Sequence, residues 1–210
     1  MRGKFITFEG GEGAGKSTQI KLLEAELKKR GIEVVLTREP GGTRLSEKVR
    51  LLLKDELEDP PCDRSELLLF LAARAQLVKN VIKPALERGA WVLSDRFSDS
   101  TFAYQGYGRG LDLKILRLAN DFACDGLKSD LTLLMEISSE ESLKRMRSRE
   151  SATGTVADRI ENAGDDFHSR LRFGFKDLAA QEPGRIKTID ASGTIEEVQE
   201  KIWKRVQLLI

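Results

Sequence analysis

The chain has 210 residues, of which 40% are hydrophobic, and 35 Lys and Arg balance 34 Asp and Glu. This length and composition predict a single globular domain over 1–210 with a sizeable core. The net charge of +1 excludes a general electrostatic attraction to nucleic acid or to anionic membranes, so we expect small-molecule partners.

The first predicted strand, over 5–8, runs into a glycine-rich loop. Residues 10–17 read GGEGAGKS and match the phosphate-binding pattern G-x-x-x-x-G-K-[ST]. Glycine lets such a loop aim its N–H groups at phosphate, lysine reaches the β- and γ-phosphates, and the serine hydroxyl binds Mg²⁺. A turn that binds nothing is the alternative, but helical spacing from residue 18 to residue 30 disfavours it. The residues predicted to hold a nucleoside triphosphate are Gly10, Gly11, Glu12, Gly13, Ala14, Gly15, Lys16, Ser17 and Thr18.

A second buried strand over 34–37 ends at Arg38, in the position where parallel sheets place their ligands. We therefore expect Arg38 at the site, although an arginine on a turn is more often a surface cation. Helical spacing follows over 45–55, and Pro60-Pro61 closes a polar loop.

The longest predicted helix spans 63–89, with Pro84 either kinking it or opening a second piece. The run 67–71 is apolar nearly all round, which predicts burial against the sheet and a second surface. Phe70 and Arg74 lie four residues apart, so a ring and a guanidinium could together grip a flat base. A core phenylalanine beside an arginine extended to solvent explains the same spacing.

The third predicted strand, over 91–94, runs into Asp95 and Arg96. A carboxylate at the end of a buried strand is where a P-loop protein holds its metal and the metal's waters, so Asp95 joins Ser17 as a predicted Mg²⁺ partner. Arg96 would meet a second phosphate. The polar segment 98–106 predicts binding rather than core.

The C-terminal half continues the alternation of helices and strands. Helices are predicted over 111–126 and from Ser138, and strands over 131–135 and 186–190. Together with the P-loop, the five strands predict the α/β class and a P-loop nucleotide-binding fold.

A lid is predicted over about 146–160. The helix from Ser138 carries Arg147 and Arg149 and runs into small polar residues with little to pack, as expected of a mobile lid. A further helix is expected from Asp158 to about Gln181, before a closing helix at the C-terminus. His168, the only histidine, is assigned no catalytic role.

The cations form three separated groups, namely Arg38, Arg96 and the lid arginines with Arg159. One nucleoside triphosphate does not need this many, whereas two phosphate-bearing substrates do, because their approach is repulsive without positive charge between them. We therefore expect a kinase whose acceptor is itself a phosphate. A phosphate monoester, with a second pKa of about 6, is largely dianionic at neutral pH and needs no general base.

Six stretches in this order carry a family resemblance: FEGGEGAGKST, TREPGGT, LFLAARAQ, VIKPAL, DRFSDSTFAYQG and DRIE. Over essentially its whole length the chain resembles the bacterial thymidylate kinases. The resemblance implies transfer of a phosphoryl group from ATP to dTMP with Mg²⁺, giving ADP and dTDP. It also implies a three-layer α/β/α fold, a five-stranded parallel sheet in the order 2-3-1-4-5, and a homodimer.

The resemblance also implies roles at the acceptor. Phe70 would stack on thymine and Arg74 would hydrogen-bond its edge, while Tyr104 would close the space that a ribose 2′-hydroxyl would occupy. Glu12 would receive the sugar 3′-hydroxyl or a metal-bound water. The implied ligands of the dTMP phosphate are Arg38 and Arg96. The residues that would line the base and sugar are Ser100, Thr101 and Gln105.

The catalytic arginine is expected in the lid. Some members of the family carry an arginine inside the P-loop, but positions 11–14 hold none here. The resemblance therefore implies Arg149 as the catalytic cation, with Arg147 and Arg159 as alternatives, all three also binding ATP. The other implied catalytic residues are Lys16, Asp95 and Arg96.

Three other functions are weighed against this one. Another nucleotide or deoxynucleoside kinase would share most of these features. A nucleotide switch is disfavoured, because the chain has no N-K-x-D motif and no D-x-x-G after the third strand. An inactive binding module would be expected to lose Lys16, Asp95 or the lid arginines, which are present.

Location and membrane attachment follow from two further features. Cys62 and Cys124 stand far apart and outside any C-x-x-C pattern, which indicates a reducing, cytoplasmic environment. The longest apolar stretch, over 67–73, is too short to span a bilayer, so no membrane anchor is expected.

Overall fold

The computed structural model describes residues 2–54, 58–153 and 164–210, and the side chains of residues 149, 152 and 153 lie outside that description. Within these ranges one sheet runs in the order β2-β3-β1-β4-β5, with every neighbouring pair parallel. Its strands are β1 (Phe5–Glu9), β2 (Val34–Arg38), β3 (Trp91–Asp95), β4 (Leu131–Glu136) and β5 (Ile186–Asp190). The predicted α/β class and strand order are confirmed.

Helices cover both faces of the sheet. The α-helices are α1 (Lys16–Lys29), α2 (Arg44–Lys54), α3 (Asp63–Leu77), α4 (Lys83–Glu87), α5 (Ser98–Thr101), α6 (Leu113–Cys124), α7 (Ser139–Thr153), α8 (Asp165–Gln181) and α9 (Ile195–Val206). Two π-helical segments, Val78–Ile82 and Phe102–Gly108, continue α3 and α5, and a 3₁₀ turn, Gln207–Leu209, follows α9.

Alternation along β1 separates two cores. Ile6 and Phe8 point to the face covered by α1 and α9, where they pack with Leu23 of α1 and Ile202 of α9. Phe5 points to the opposite face and packs under the α3–α4 segment. All five side chains are fully buried. The sheet is therefore the middle layer, and the predicted three-layer α/β/α arrangement is confirmed.

The second face also carries α5, its π-helical continuation and α8. Ala103 packs there with Leu134 of β4 and with Leu171 and Phe175 of α8. Helices α3 and α6 pack against each other beyond this layer through Leu71 and Leu116, and α2 packs on α3. The segment after β3 is thus held between the sheet and outer helices, next to the strand ends.

The predicted helix over 63–89 is divided near Pro84, which was expected either to kink it or to open a second piece. Pro84 lies in the first turn of α4, so it opens a second piece, and the π-helical segment joins that piece to α3. A proline is tolerated there because the first N–H groups of a helix lack intrahelical acceptors.

Two expectations about helices are modified by the structure. Within one chain the run 67–71 is covered on one side only, because Leu67 and Leu71 are buried while Leu68 is 64% exposed. The continuous helix to Gln181 is interrupted at Gly164, whose backbone (φ 78°, ψ 163°) is not helical, so α8 begins at Asp165. The predicted start of that helix, Asp158, lies outside the described residues. None of the helices in the described ranges is both long enough and apolar enough to cross a bilayer.

Candidate active site

The P-loop lies between β1 and α1, and its close approach to other segments requires glycine. A Cβ at Gly10, whose φ is 124°, would lie 2.2 Å from the carbonyl oxygen of Met135. At Gly13, with φ 71°, it would lie 2.9 Å from the carbonyl oxygen of Ser142 on α7. Ser142 Oγ also donates to the carbonyl of Glu12 at 2.8 Å. The loop is therefore held against the end of β4 and the first turns of α7.

Lys16 points back into this loop. Its Nζ donates to the carbonyls of Gly10 at 3.1 Å and Gly11 at 2.8 Å, and the residue is buried. Burial, with the nearby Arg96 cation, lowers the pKa of Lys16, while the carboxylates of Glu12 and Asp95 oppose that shift. An ammonium group held at the loop mouth is placed to meet phosphate oxygens.

Ser17 and Asp95 meet where β3 ends beside the loop. Ser17 Oγ donates to Asp95 Oδ2 at 3.1 Å. Within the described residues, no group of three or more His, Cys, Asp or Glu side chains is placed to hold a metal ion. One hydroxyl beside one carboxylate nevertheless fits Mg²⁺, which keeps several waters and takes its remaining ligands from substrate phosphates.

A cavity of about 520 Å³ opens beside the loop. Its lining brings the P-loop from Gly11 to Thr18 together with Asp95 and all nine predicted acceptor residues. Those acceptor residues are Glu12, Arg38, Phe70, Arg74, Arg96, Ser100, Thr101, Tyr104 and Gln105. Donor and acceptor residues predicted from separate stretches therefore share one space.

Arg96 lies between the side of the cavity formed by the P-loop and the side formed by the segment after β3. Its guanidinium pairs with the Glu12 carboxylate, donates to the carbonyl of Gly10 at 3.2 Å, and lies 5.0 Å above the Tyr104 ring centroid. Burial alone would lower the pKa of Arg96, but Tyr104, Glu12 and Asp95 raise it well above its usual value. The group is a permanent cation between the P-loop and the segment after β3.

Arg74 is almost fully buried and each of its five N–H donors has an acceptor in the chain. Two nitrogens pair with the Glu39 carboxylate at 2.5–3.1 Å. The remaining donors reach Thr101 Oγ1 at 2.7 Å, Asn120 Oδ1 at 2.5 Å and the carbonyl of Phe97 at 3.1 Å. This arrangement fixes Thr101 at the cavity wall, and the predicted bond from Arg74 to a base edge stays a prediction.

Two predicted contacts have different surroundings. Arg38 is half exposed and forms an ion pair with Glu47 at 2.9 Å, so a ligand can reach its guanidinium. Gln105 is buried, and its Nε2 donates to Glu66 Oε1 at 2.9 Å. Glu66 is bound in turn by Arg109 at 3.2 Å. The amide of Gln105 is therefore oriented before any nucleotide binds.

The lid arginines are only partly described. Arg147 is exposed on α7 and is not among the residues that line the cavity. The backbone of Arg149 belongs to α7 but its side chain lies outside the description, and Arg159 lies outside it altogether. Arg145, one helical turn before Arg149, does line the cavity. It donates to the Glu141 carboxylate at 2.8 Å and to the carbonyl of Gly13 at 3.5 Å.

Comparison with known proteins decides the family. The family model for thymidylate kinase matches residues 8–202. A thymidylate kinase of Desulfovibrio desulfuricans is 51% identical over 196 residues, covering 92% of this chain and 90% of that protein. One of Syntrophotalea carbinolica is 46% identical over 200 residues, with 95% and 93% covered. The crystal structure of thymidylate kinase from Ehrlichia chaffeensis matches with a TM-score of 0.76 and 36% identity, covering 99% of this chain and 100% of that chain.

The chain belongs to the thymidylate kinase family. The resemblance stated from the sequence is confirmed, and so is the assignment to the nucleoside monophosphate kinases. A thymidylate kinase acts on two anionic nucleotides, so its site has to offset the repulsion between their phosphates.

Several residues of this thymidylate kinase site were missed by sequence reasoning. Glu39 and Glu66 are buried carboxylates that hold Arg74 and Gln105, and Glu9 holds the segment after β3. Two of them could have been recognised from the sequence, because Glu66 stands before an almost wholly apolar run and Glu9 ends a buried strand. A carboxylate in such a place is costly unless it is paired.

The pH dependence of stability tests the burial of Glu9. Burial, with the Asp99 charge, raises the pKa of Glu9 from its ordinary 4.5 to about 7, against the pull of Arg96. Because the folded chain holds this proton more tightly, the stabilising contribution is complete below pH 4.5 and is lost as the pH rises through about 7. Relative to Glu9→Gln, we expect wild type to lose up to roughly 3 kcal/mol of unfolding free energy across this window.

Denaturant unfolding at a series of pH values measures this difference. The matched control is Glu33→Gln, which removes a carboxylate from an exposed pair with Arg88. A constant difference between wild type and Glu9→Gln from pH 4.5 to 8 would contradict the burial cost.

Proposed function

We propose that this chain transfers the γ-phosphoryl group of ATP to the 5′-phosphate of dTMP, giving ADP and dTDP. The observation that carries the proposal is the position of Arg96, which faces the P-loop and the acceptor residues within one cavity. Two phosphate-bearing substrates need such a cation between them, because their direct approach is repulsive.

In this proposal the P-loop from Gly10 to Thr18 binds the ATP phosphates and Lys16 neutralises their charge. Ser17 and Asp95 would hold Mg²⁺, Asp95 through water. When bound there, the ion supplies a positive charge that neutralises the phosphates and fixes their arrangement. Asp95 lies 3.1 Å from Ser17, which keeps the oxygen ligands of such an ion together.

The acceptor residues act by positioning. Arg96 and Arg38 would bind the dTMP phosphate, and Phe70 would stack on the base while Glu12 receives the sugar hydroxyl. The residues that would line the base and sugar are Arg74, Ser100, Thr101, Tyr104 and Gln105. Since the acceptor oxygen is largely deprotonated at neutral pH, the chain needs no general base.

An acceptor assay with Phe70→Ala tests the substrate and its base site. We expect turnover with dTMP well above that with CMP, AMP or thymidine. Phe70→Ala should weaken dTMP binding by about 1–3 kcal/mol, since it removes the stacking surface. Phe173→Ala is the matched control, because Phe173 is 64% exposed and is not part of the cavity lining.

Phosphorylation of thymidine but not dTMP would instead indicate a deoxynucleoside kinase. Unchanged dTMP affinity in Phe70→Ala would return that ring to a packing role.

The lid proposed over about 146–160 would supply the catalytic cation. Arg149 is our first choice, with Arg147 and Arg159 as alternatives, and the cavity contact of Arg145 supports an approach of α7 to the donor phosphates. Arg149→Ala should lower kcat by about 10³- to 10⁵-fold and leave dTMP binding nearly unchanged. Steady-state kinetics against Lys144→Ala, an exposed cation on the same helix, measures the effect. Near-normal turnover would move the role to Arg147 or Arg159.

The proposed homodimer would bury an exposed apolar face of α3 and α6. Leu68, Ile115, Leu118 and Phe122 are 61–89% exposed on these two packed helices. An exposed patch of this kind is typical of an interface. Light scattering should show a dimer that Phe122→Glu converts to monomer, whereas Phe173→Glu on α8 should not. A monomeric wild type would contradict the proposal.

We also propose that the protein acts in the cytoplasm. Both cysteines are free, with Cys62 exposed and Cys124 buried. An exposed free thiol suits a reducing compartment.

A further inference from the structure

Glu9 is a fully buried carboxylate at the end of β1 that neither a phosphate nor a metal requires. On β1 it points, with Thr7, to the face covered by α5, because side chains alternate along a strand. Its Oε1 accepts from the backbone N–H of Phe97 at 2.8 Å, and its Oε2 accepts from Ser100 Oγ at 2.6 Å. Both oxygens are therefore used to hold the segment that begins at Arg96.

Arg96 has a backbone conformation that needs support. Its φ is 70°, in the left-handed region that costs a non-glycine residue energy. Its own N–H donates to the carbonyl of Phe8 at 2.9 Å, and Ser94 Oγ donates to its carbonyl at 2.7 Å. The bond from the Phe97 N–H to Glu9 fixes the next peptide. Three hydrogen bonds thus hold the strained residue on both sides.

A side-chain path also joins Glu9 to the Arg96 guanidinium. Ser100 gives its hydroxyl proton to Glu9, so its oxygen faces Arg96 as an acceptor, and Arg96 Nη1 lies 3.4 Å away. The same nitrogen donates to the carbonyl of Gly10 in the P-loop. The carboxylate therefore influences both the backbone and the charged end of Arg96.

The surroundings of Glu9 make its ionised carboxylate unfavourable. Asp99 on α5 and Arg96 act on it directly, and it acts in turn on Lys16 of α1, Arg74 of α3 and Tyr104. A buried carboxylate with a neighbouring acid lowers stability at neutral pH. What it provides in return is the orientation of the turn after β3.

We propose that Glu9, assisted by Ser94, is a positioning residue for phosphoryl transfer that holds Arg96 in its left-handed conformation and aims the guanidinium at the acceptor phosphate. The proposal rests on the role proposed above for Arg96. Glu9 itself touches no substrate. Its removal changes where the acceptor phosphate is held and leaves the donor site in place.

Kinetics of Glu9→Gln separate this role from a purely structural one. The amide keeps the shape but has one acceptor oxygen, so it cannot hold both Phe97 and Ser100 as before. We expect kcat/KM for dTMP to fall about 10- to 100-fold, because a small misplacement of a positioning group costs this much, while KM for ATP changes less than twofold. Glu33→Gln, the same chemical change on the surface, should match wild type.

Ser94→Ala tests the same claim without touching the carboxylate. Ser94 is fully buried and does not line the cavity, so the substitution removes only its bond to the Arg96 carbonyl. We expect about a fivefold loss of kcat/KM for dTMP, which corresponds to one hydrogen bond of about 1 kcal/mol, again with KM for ATP unchanged. This variant decides the question if Glu9→Gln does not fold.

Arg96→Gln, which removes the charge, separates failure of the proposal from failure of the role it rests on. If Arg96→Gln has wild-type dTMP kinetics, Arg96 does not bind the acceptor phosphate and the proposal falls with that role. If Arg96→Gln is impaired while Glu9→Gln and Ser94→Ala have wild-type dTMP kinetics, only the positioning role is overturned. Equal rises of KM for both substrates in Glu9→Gln would also overturn it.

Discussion

Two nucleotide phosphates can meet only where fixed positive charge offsets the repulsion between them. In this chain we propose that Arg96 supplies this charge, because it lies between the P-loop and the segment after β3. Much of the surrounding structure serves to place this one side chain. Arg96 follows β3 at the carboxyl ends of the strands, beside β1. The carbonyl of Gly10 in the P-loop accepts from its guanidinium, and Glu12 supplies an opposite charge.

Buried carboxylates fix the positions of residues in the proposed acceptor site. Glu39 holds Arg74, Glu66 holds Gln105, and Glu9 holds Phe97 and Ser100. Each anion is withdrawn from water and so lowers stability unless its hydrogen bonds are well formed. Glu39, with Thr101, Asn120 and the Phe97 carbonyl, accepts from every donor of the Arg74 guanidinium, so this part of the cavity wall is arranged before substrate arrives.

Local patterns were enough to predict the frame of the molecule. The glycine spacing from Gly10 to Lys16 and the apolar runs of the five strands depend on residues adjacent in sequence, so these patterns predicted the P-loop and the strands, whereas the strand order followed from the family resemblance. The bonds that complete the site join residues far apart in sequence, such as Arg74 with Glu39 and Ser100 with Glu9. No periodicity reveals such pairs, because they arise only when α3 packs beside the end of β2 and α5 packs beside the end of β1.

The exposure of Leu68 could not be predicted for a similar reason. An apolar run predicts that something covers each face of a helix, but it does not show which faces the chain's own core covers. Leu67 and Leu71 face the core, whereas Leu68 is exposed on the surface of α3. Burial within one chain is decided by which neighbours the fold supplies.

A crystal structure with dTMP and a non-hydrolysable ATP analogue is the most direct test of the central claim. We expect the dTMP phosphate within hydrogen-bond distance of the Arg96 guanidinium, facing the γ-phosphate. We also expect that Glu9 still accepts from Phe97 and Ser100 and that Arg96 keeps its left-handed backbone. A dTMP phosphate bound away from Arg96, or an Arg96 that relaxes from that conformation when both nucleotides are bound, would contradict it.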